Sequence, residues 1–238
     1  NMLYKDKEYA LESDYIFKLV SSRMPNAKTL LDIGCGSGKH AYEMYKKGFN
    51  VTGVDLSDTM LEQAKKLPEN EISFYKGDAR NVRLNSDFDI VTSLFHVLSY
   101  QNSNEDVLDM LRTIKQHLSH DGVFVIDFWY GPGVLNDPPV VRKKTLVDEL
   151  LTVIRIAEPT VHFDKNIVDV NYHLIAWENS EKVVSEIKEQ HKMRYFFLPE
   201  LYLMLETVGL RVLDIKEWMT ESTPSSNTWI ACIVGSHK

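Results

Sequence analysis

Thr29-Leu30-Leu31-Asp32-Ile33-Gly34-Cys35-Gly36-Ser37-Gly38-Lys39-His40 is the stretch on which the reading of the chain turns. A short apolar run ends in an acid, and glycines follow at alternate positions. Ala41, Met44 and Tyr45 then mark one face of a helix that Gly48 ends. The pattern predicts a buried strand, a sharp glycine turn and a helix. Glycines let the backbone turn tightly and let a ligand approach the main chain with no Cβ in the way. The dinucleotide fingerprint wants a glycine three positions after Gly36, where Lys39 stands. Asp32, just ahead of the first glycine, repels a pyrophosphate and favours a cationic ligand group.

Outward from this turn, helix and strand patterns alternate. Residues 8–23 read as a helix with Leu11, Tyr15, Ile16, Leu19 and Val20 on one face. Val51–Leu56, Ile72–Tyr75, Phe88–Leu94 and Val123–Trp129 read as further strands. Ser57 and Asn104 are predicted to cap intervening helices. Continuous apolar strands between amphipathic helices indicate a parallel sheet covered on both faces. Between Tyr130 and Leu198 the pattern changes to a loop rich in glycine and proline, then three antiparallel strands near residues 145–158, 167–177 and 183–197. A helix over Pro199–Val208 and strands at 211–216 and 228–234 follow. The expected fold is α/β: a Rossmann-like, doubly wound, mostly parallel seven-stranded sheet with an antiparallel insertion after strand five. The expected division is a cofactor-binding core over 1–130, the insertion over 131–198 covering an acceptor site, and 199–238 completing the core.

The 238 residues are 44% hydrophobic and 26% charged, which suits a globular domain and excludes disordered or fibrous classes. A net charge of -7 argues against nucleic acid as a partner. No apolar run approaches a membrane span, and Cys35 and Cys232 lie outside any metal-ligand spacing, so no metal site is expected. The expectation is a cytoplasmic protein with reduced thiols and a small-molecule partner, and a homodimer is possible through the edges of the insertion.

Further chemistry-bearing residues fall at strand ends. Asp55 closes the second strand about 20 residues past the first glycine, where a carboxylate can accept both ribose hydroxyls of a nucleoside. Met60 follows in the next helix and can cover an adenine face. Gly77-Asp78-Ala79 follows the third strand, where Asp78 can accept from an adenine amino group. Phe95 and His96 end the fourth strand, opposite the glycine turn. Open α/β sheets bind ligands at that edge.

This set resembles the class I S-adenosylmethionine-dependent methyltransferases. A closer similarity is to the amino-sugar N,N-dimethyltransferases of macrolide pathways, of the desosamine and mycaminose type, and a more distant one is to glycine N-methyltransferase. It rests on Lys7-Glu8-Tyr9, on Cys35 to His40, on Leu56-Ser57-Asp58-Thr59-Met60-Leu61 and on Gly77-Asp78-Ala79-Arg80. The strand-bearing insertion, with His191 ahead of the following helix, matches too. The resemblance implies S-adenosyl-L-methionine as cofactor, held by Asp32, Gly34, Cys35, Gly36, Asp55, Leu56, Met60, Gly77, Asp78, Ala79 and Phe95. It also implies that Tyr9, or Tyr4, closes over the methionine end. His96 departs from the macrolide enzymes, which carry a small polar residue there.

Methyl transfer needs an acceptor lone pair aligned behind the methyl carbon, and an amine must lose its proton first. His96 and His191 are the candidate proton acceptors; each can equally be a positioning partner or structural. Tyr130, Tyr172, Tyr195, Arg194 and Asp127 are candidate pocket residues. Arg142, Lys143, Lys144, Arg155 and Arg194 are candidate cations for a diphosphate. The leading reading is an N-methyltransferase for a small amine, such as that of a nucleotide-linked amino sugar. The alternatives are a small-molecule O-methyltransferase and a non-catalytic S-adenosylmethionine-binding protein.

Overall fold

The computed structural model describes residues 8–68, 71–147, 151–178 and 183–238. Strands β1 (Thr29–Ile33), β2 (Asn50–Asp55), β3 (Ser73–Lys76), β4 (Phe88–Ser93) and β5 (Leu118–Tyr130) run parallel in the order β3-β2-β1-β4-β5. The last strand, β11 (Ile230–His237), pairs antiparallel with β5, and β10 (Leu210–Glu217) pairs with β11. These seven strands form the expected core.

Side-chain alternation in β5 shows why both faces are covered. Val123 and Val125 join one cluster with α1 (Tyr9–Ser21) and α2 (Lys39–Lys46), through Ile16, Leu19 and Met44. Phe124, Ile126 and Phe128 point the other way, against α4 (Asn104–His117) and α6 (Leu198–Val208). A strand buried on both sides has no polar face to offer water, which explains why Val123–Trp129 is apolar apart from Asp127. Ser57 caps α3 (Asp58–Ala64) by accepting from the Met60 amide at 3.3 Å. At α4 the cap is Ser103, not Asn104: its hydroxyl accepts from the Asp106 amide at 3.1 Å.

The insertion departs from expectation in two places. Gly131–Asn136 forms a short helix, α5, where a loop is predicted; Pro132 in its first turn fixes φ where no amide donor is needed. The antiparallel sheet has four strands rather than three: β6 (Arg142–Val147), β7 (Leu151–His162), β8 (Ile167–Glu178) and β9 (Val183–Phe196). The basic run Arg142-Lys143-Lys144 thus lies on an edge strand, where charged side chains discourage further strand pairing.

The insertion is welded to the core sheet. Pairing of β4 with β5 ends at Ser93↔Ile126, leaving an edge of β5 free for β9, which pairs at Trp129↔Tyr195 and Tyr130↔Phe196. Val134, Val168, Val170 and Tyr195 form a small core beneath the junction, with Trp129 and Trp229 against it. Among the described residues, no helix is long and apolar enough to cross a membrane.

Candidate active site

Parallel strands deliver the ends of β1 to β5 to one rim, with neighbours about 4.8 Å apart. The glycine turn is tied to β2: the Gly34 and Cys35 amides donate to the Val54 carbonyl at 2.7 and 2.9 Å. Gly34 has φ +77°, and a Cβ there would sit 2.4 Å from Val97 Cγ2. Gly36, at φ +54°, has no atom within 4 Å of where its Cβ would stand, so this face of the turn is open to a ligand.

Asp55 completes the turn. Its Oδ2 accepts from the Gly36 amide and its Oδ1 from the Ser57 amide, both at 2.8 Å. A carboxylate offers about four acceptor positions, so about two remain for a diol. Asp32 lies buried beneath the turn, where Thr92 Oγ1 donates to it at 2.9 Å. Burial pushes its carboxyl up from the ordinary range, with repulsion from Asp55 and Asp127 adding to the effect and His40 and the Thr92 hydrogen bond opposing it.

Asp78 stands at the same rim but is heavily engaged. Arg80 donates its amide at 3.0 Å to Oδ1 and Nη2 at 2.6 Å to Oδ2, and reaches on to Asp106 at 2.7 Å. Hydrogen bonding from Arg80 holds the Asp78 carboxyl below its usual value. The Gly77 amide donates to the Asp55 backbone carbonyl at 3.0 Å, joining this loop to the end of β2, and Ala79 packs on the core. Leu56 in the turn after β2, Met60 in the first turns of α3 and Phe95 after β4 are exposed apolar side chains of the rim, 63%, 41% and 42% accessible. Tyr9 packs edge-on against His40 at 4.9 Å, with Lys39 Nζ over its ring, at the start of the helix leaving the glycine turn. Tyr4 lies outside the described residues.

Residues 30–122 fit the family model of a methyltransferase domain. Over 215 residues the chain is 30% identical to a dTDP-3-amino-3,4,6-trideoxy-alpha-D-glucopyranose N,N-dimethyltransferase from Streptomyces venezuelae, covering 88% of this chain and 86% of that one. The chain belongs to the class I S-adenosylmethionine-dependent methyltransferases. The crystal structure of Streptomyces venezuelae DesVI superposes with a TM-score of 0.82 at 27% identity, over 99% of this methyltransferase and 94% of that chain. The sugar N-methyltransferase KedS8 from a Streptoalloteichus species gives 0.84 at 22% identity, over 99% and 90%, a likeness of fold alone.

Beside the methyltransferase's rim, past the end of β5, lies a cavity of about 350 Å³. Trp129, Trp229 and Tyr172 give it aromatic walls; Arg142 and Arg155 give it two cations and Asp137 one carboxylate. The Arg155 guanidinium stacks on Tyr172, 5.4 Å from the ring centre. Of the expected pocket residues, Tyr172 lines this cavity while Tyr130, Tyr195 and Arg194 do not. Tyr130 packs against the α4–α6 side, where burial raises its hydroxyl pKa. Tyr195 is 1% exposed, inside the small core under the junction. Arg194 is buried, bonded to Glu200 at 3.0 Å and stacked on Phe196. Each is held elsewhere by its own packing: Arg194 by Glu200 and Phe196, Tyr195 by the small core, and Tyr130 by the α4–α6 side.

His191 accepts or donates at 2.7 Å with the Tyr100 hydroxyl and lies 3.3 Å from Glu189, so it links β9 to the turn after β4. His96 and Phe95 take φ of +66° and +65°. Consecutive left-handed residues other than glycine are strained and persist only where the surroundings hold them. Sequence reasoning overlooked Trp129 and Trp229. The signal for Trp129 was present: it lies two residues from Asp127 and therefore on the same face of β5.

Proposed function

We propose that this methyltransferase methylates the amino group of a sugar linked to a nucleoside diphosphate. The observation that carries the reading is the cavity beyond β5, lined by two arginines and aromatic walls, with Arg155 over the Tyr172 ring. Guanidinium groups match diphosphate oxygens in charge and geometry, and aromatic faces suit sugar and base rings. The relatives named for nucleotide-linked amino sugars support it.

When bound at the rim, S-adenosylmethionine supplies a methyl group on a sulfonium, a good leaving group. The open face at Gly36, the acceptor capacity left on Asp55 and the exposed Leu56, Met60 and Phe95 fit such a ligand. Gly34, Cys35 and Gly36 would present the turn to its methionine end, and Asp32 would counter its positive charge. Asp55 would hold the ribose, with Leu56, Met60 and Phe95 against the adenine and Gly77, Asp78 and Ala79 at its rim. Tyr9 would close the methionine side. The arginines would hold the acceptor's diphosphate, orienting its amine toward the rim. Orientation of this kind supplies on the order of 7–11 kcal/mol in favourable intramolecular models. The reading includes a cytoplasmic location.

Thermal-shift and turnover measurements with a thymidine diphosphate amino sugar, its hydroxyl counterpart and simple amines test this. Stabilisation and methylation of the nucleotide-linked amine are expected. Methylation of the hydroxyl compound alone would move the enzyme to the O-methyltransferases.

A further inference from the structure

His96 and Asp127 make a carboxylate–imidazole pair that no comparison assigns. The Asp127 side chain is 1% exposed, and His96 Nδ1 lies 2.9 Å from its Oδ2. The two atoms are close but not aligned as a hydrogen bond, and Nδ1 is buried. The same carboxylate's Oδ1 accepts the His96 backbone amide at 3.0 Å. One buried acid therefore both faces the ring and holds the strained Phe95–His96 turn. The ring is turned with Nδ1 inward. Nδ1 faces Asp127, and Nε2 has no hydrogen-bond partner among the described residues.

The ring stands between two parts of the site. Phe95, its neighbour at 5.4 Å between centroids, belongs to the cofactor rim. Trp129, edge-on at 6.3 Å, lines the acceptor cavity and shares a face of β5 with Asp127. An amine oriented from that cavity toward the rim passes the imidazole. The charges around it are carboxylates: Asp127 from β5, and behind it Asp32 from β1 and Asp55 from β2, with His40 opposing at Asp32.

We infer that Asp127 positions His96 so that Nε2 accepts the proton of the acceptor's ammonium group. This rests on the amine reading above. The N–H bond breaks toward Nε2, and the freed lone pair forms the bond to the methyl carbon. The carbon–sulfur pair departs with sulfur as a neutral thioether. The proton stays on the imidazolium opposite Asp127 and passes to water as product leaves. His96 is the acceptor in this scheme, and Asp127 is a positioning residue.

Two measurements test it. Nitrogen-15 NMR of the imidazoles in the whole protein should find neutral His96 protonated at Nδ1, with that preference lost in Asp127→Asn. An Nε2-protonated ring in the wild type overturns the proposal whatever the acceptor is. Turnover of a thymidine diphosphate 3-amino sugar is then followed against pH. Asparagine tolerates left-handed backbone, so His96→Asn keeps the turn. It should lower kcat by about 10²-fold or more at neutral pH, with S-adenosylhomocysteine affinity retained. The deficit should shrink as rising pH deprotonates the free amine. A deficit constant across pH, or none, overturns the proposal. Wild-type methylation of the hydroxyl counterpart but not the amine would instead sink the amine reading, leaving the tautomer result to stand alone.

Discussion

The Asp55 carboxylate accepts the Gly36 amide at 2.8 Å, joining residues from two different strand ends into one binding surface. The acid clamps the glycine turn and, in the proposed reading, would also hold the ribose diol. Asp55→Ala should weaken S-adenosylhomocysteine binding by about 1–3 kcal/mol, since charge-assisted bonds are lost. Calorimetry checks this; unchanged affinity would remove Asp55 from the ribose position.

Gly34 admits no side chain. Alanine there would need φ +77° and a Cβ 2.4 Å from Val97 Cγ2. The strained backbone alone costs about 1–3 kcal/mol, and the clash moves the turn. Urea unfolding of Gly34→Ala should show a lower midpoint, and cofactor binding should fall with it.

Asp32 lowers stability as its buried carboxyl ionises. Burial raises its pKa in the folded chain, so its contribution to stability is fully present below the unfolded value, about 4, and is lost as pH rises through the folded one. Above about pH 4 the buried acid is therefore a liability that Asp32→Asn relieves, since the amide oxygen can still accept from Thr92. The variant should melt higher than the wild type, by roughly 2–4 °C per kcal/mol gained, with the gap narrowing toward about pH 4. Saturating S-adenosylmethionine should favour the wild type instead. Melting curves across pH, with and without cofactor, decide it.

Arg142 and Arg155 should matter for the acceptor and not for the cofactor. Replacing either by methionine keeps the stem and removes the charge. KM for a thymidine diphosphate amino sugar should rise about tenfold or more, with weaker salt dependence, while S-adenosylhomocysteine affinity holds. Equal KM values would clear the diphosphate from this cavity.

Much of this was legible locally. Asp32, the three glycines, Asp55 and the Gly77-Asp78-Ala79 step each stand at the end of a strand that its own apolar run announces. The seven-stranded core followed from the alternation of such runs with helical patterns. The insertion was harder. The brevity of α5 left too few positions to show periodicity. β6 opens on three cations and shows no strand alternation of its own, because an edge strand is held by its partner β7 rather than by its own composition.

Sequence by itself determined the rim, since neighbouring parallel strands bring their carboxyl ends together once their order along the sheet is set. Tertiary structure alone decided the acceptor side. Residue 96 meets residue 127, and residue 129 meets residue 229, only because β4, β5 and β11 lie edge to edge. Arg194 and Tyr195 turned inward because β9 pairs with the end of β5. Contacts across such separations are chosen by packing of the whole sheet, and no local spacing encodes them.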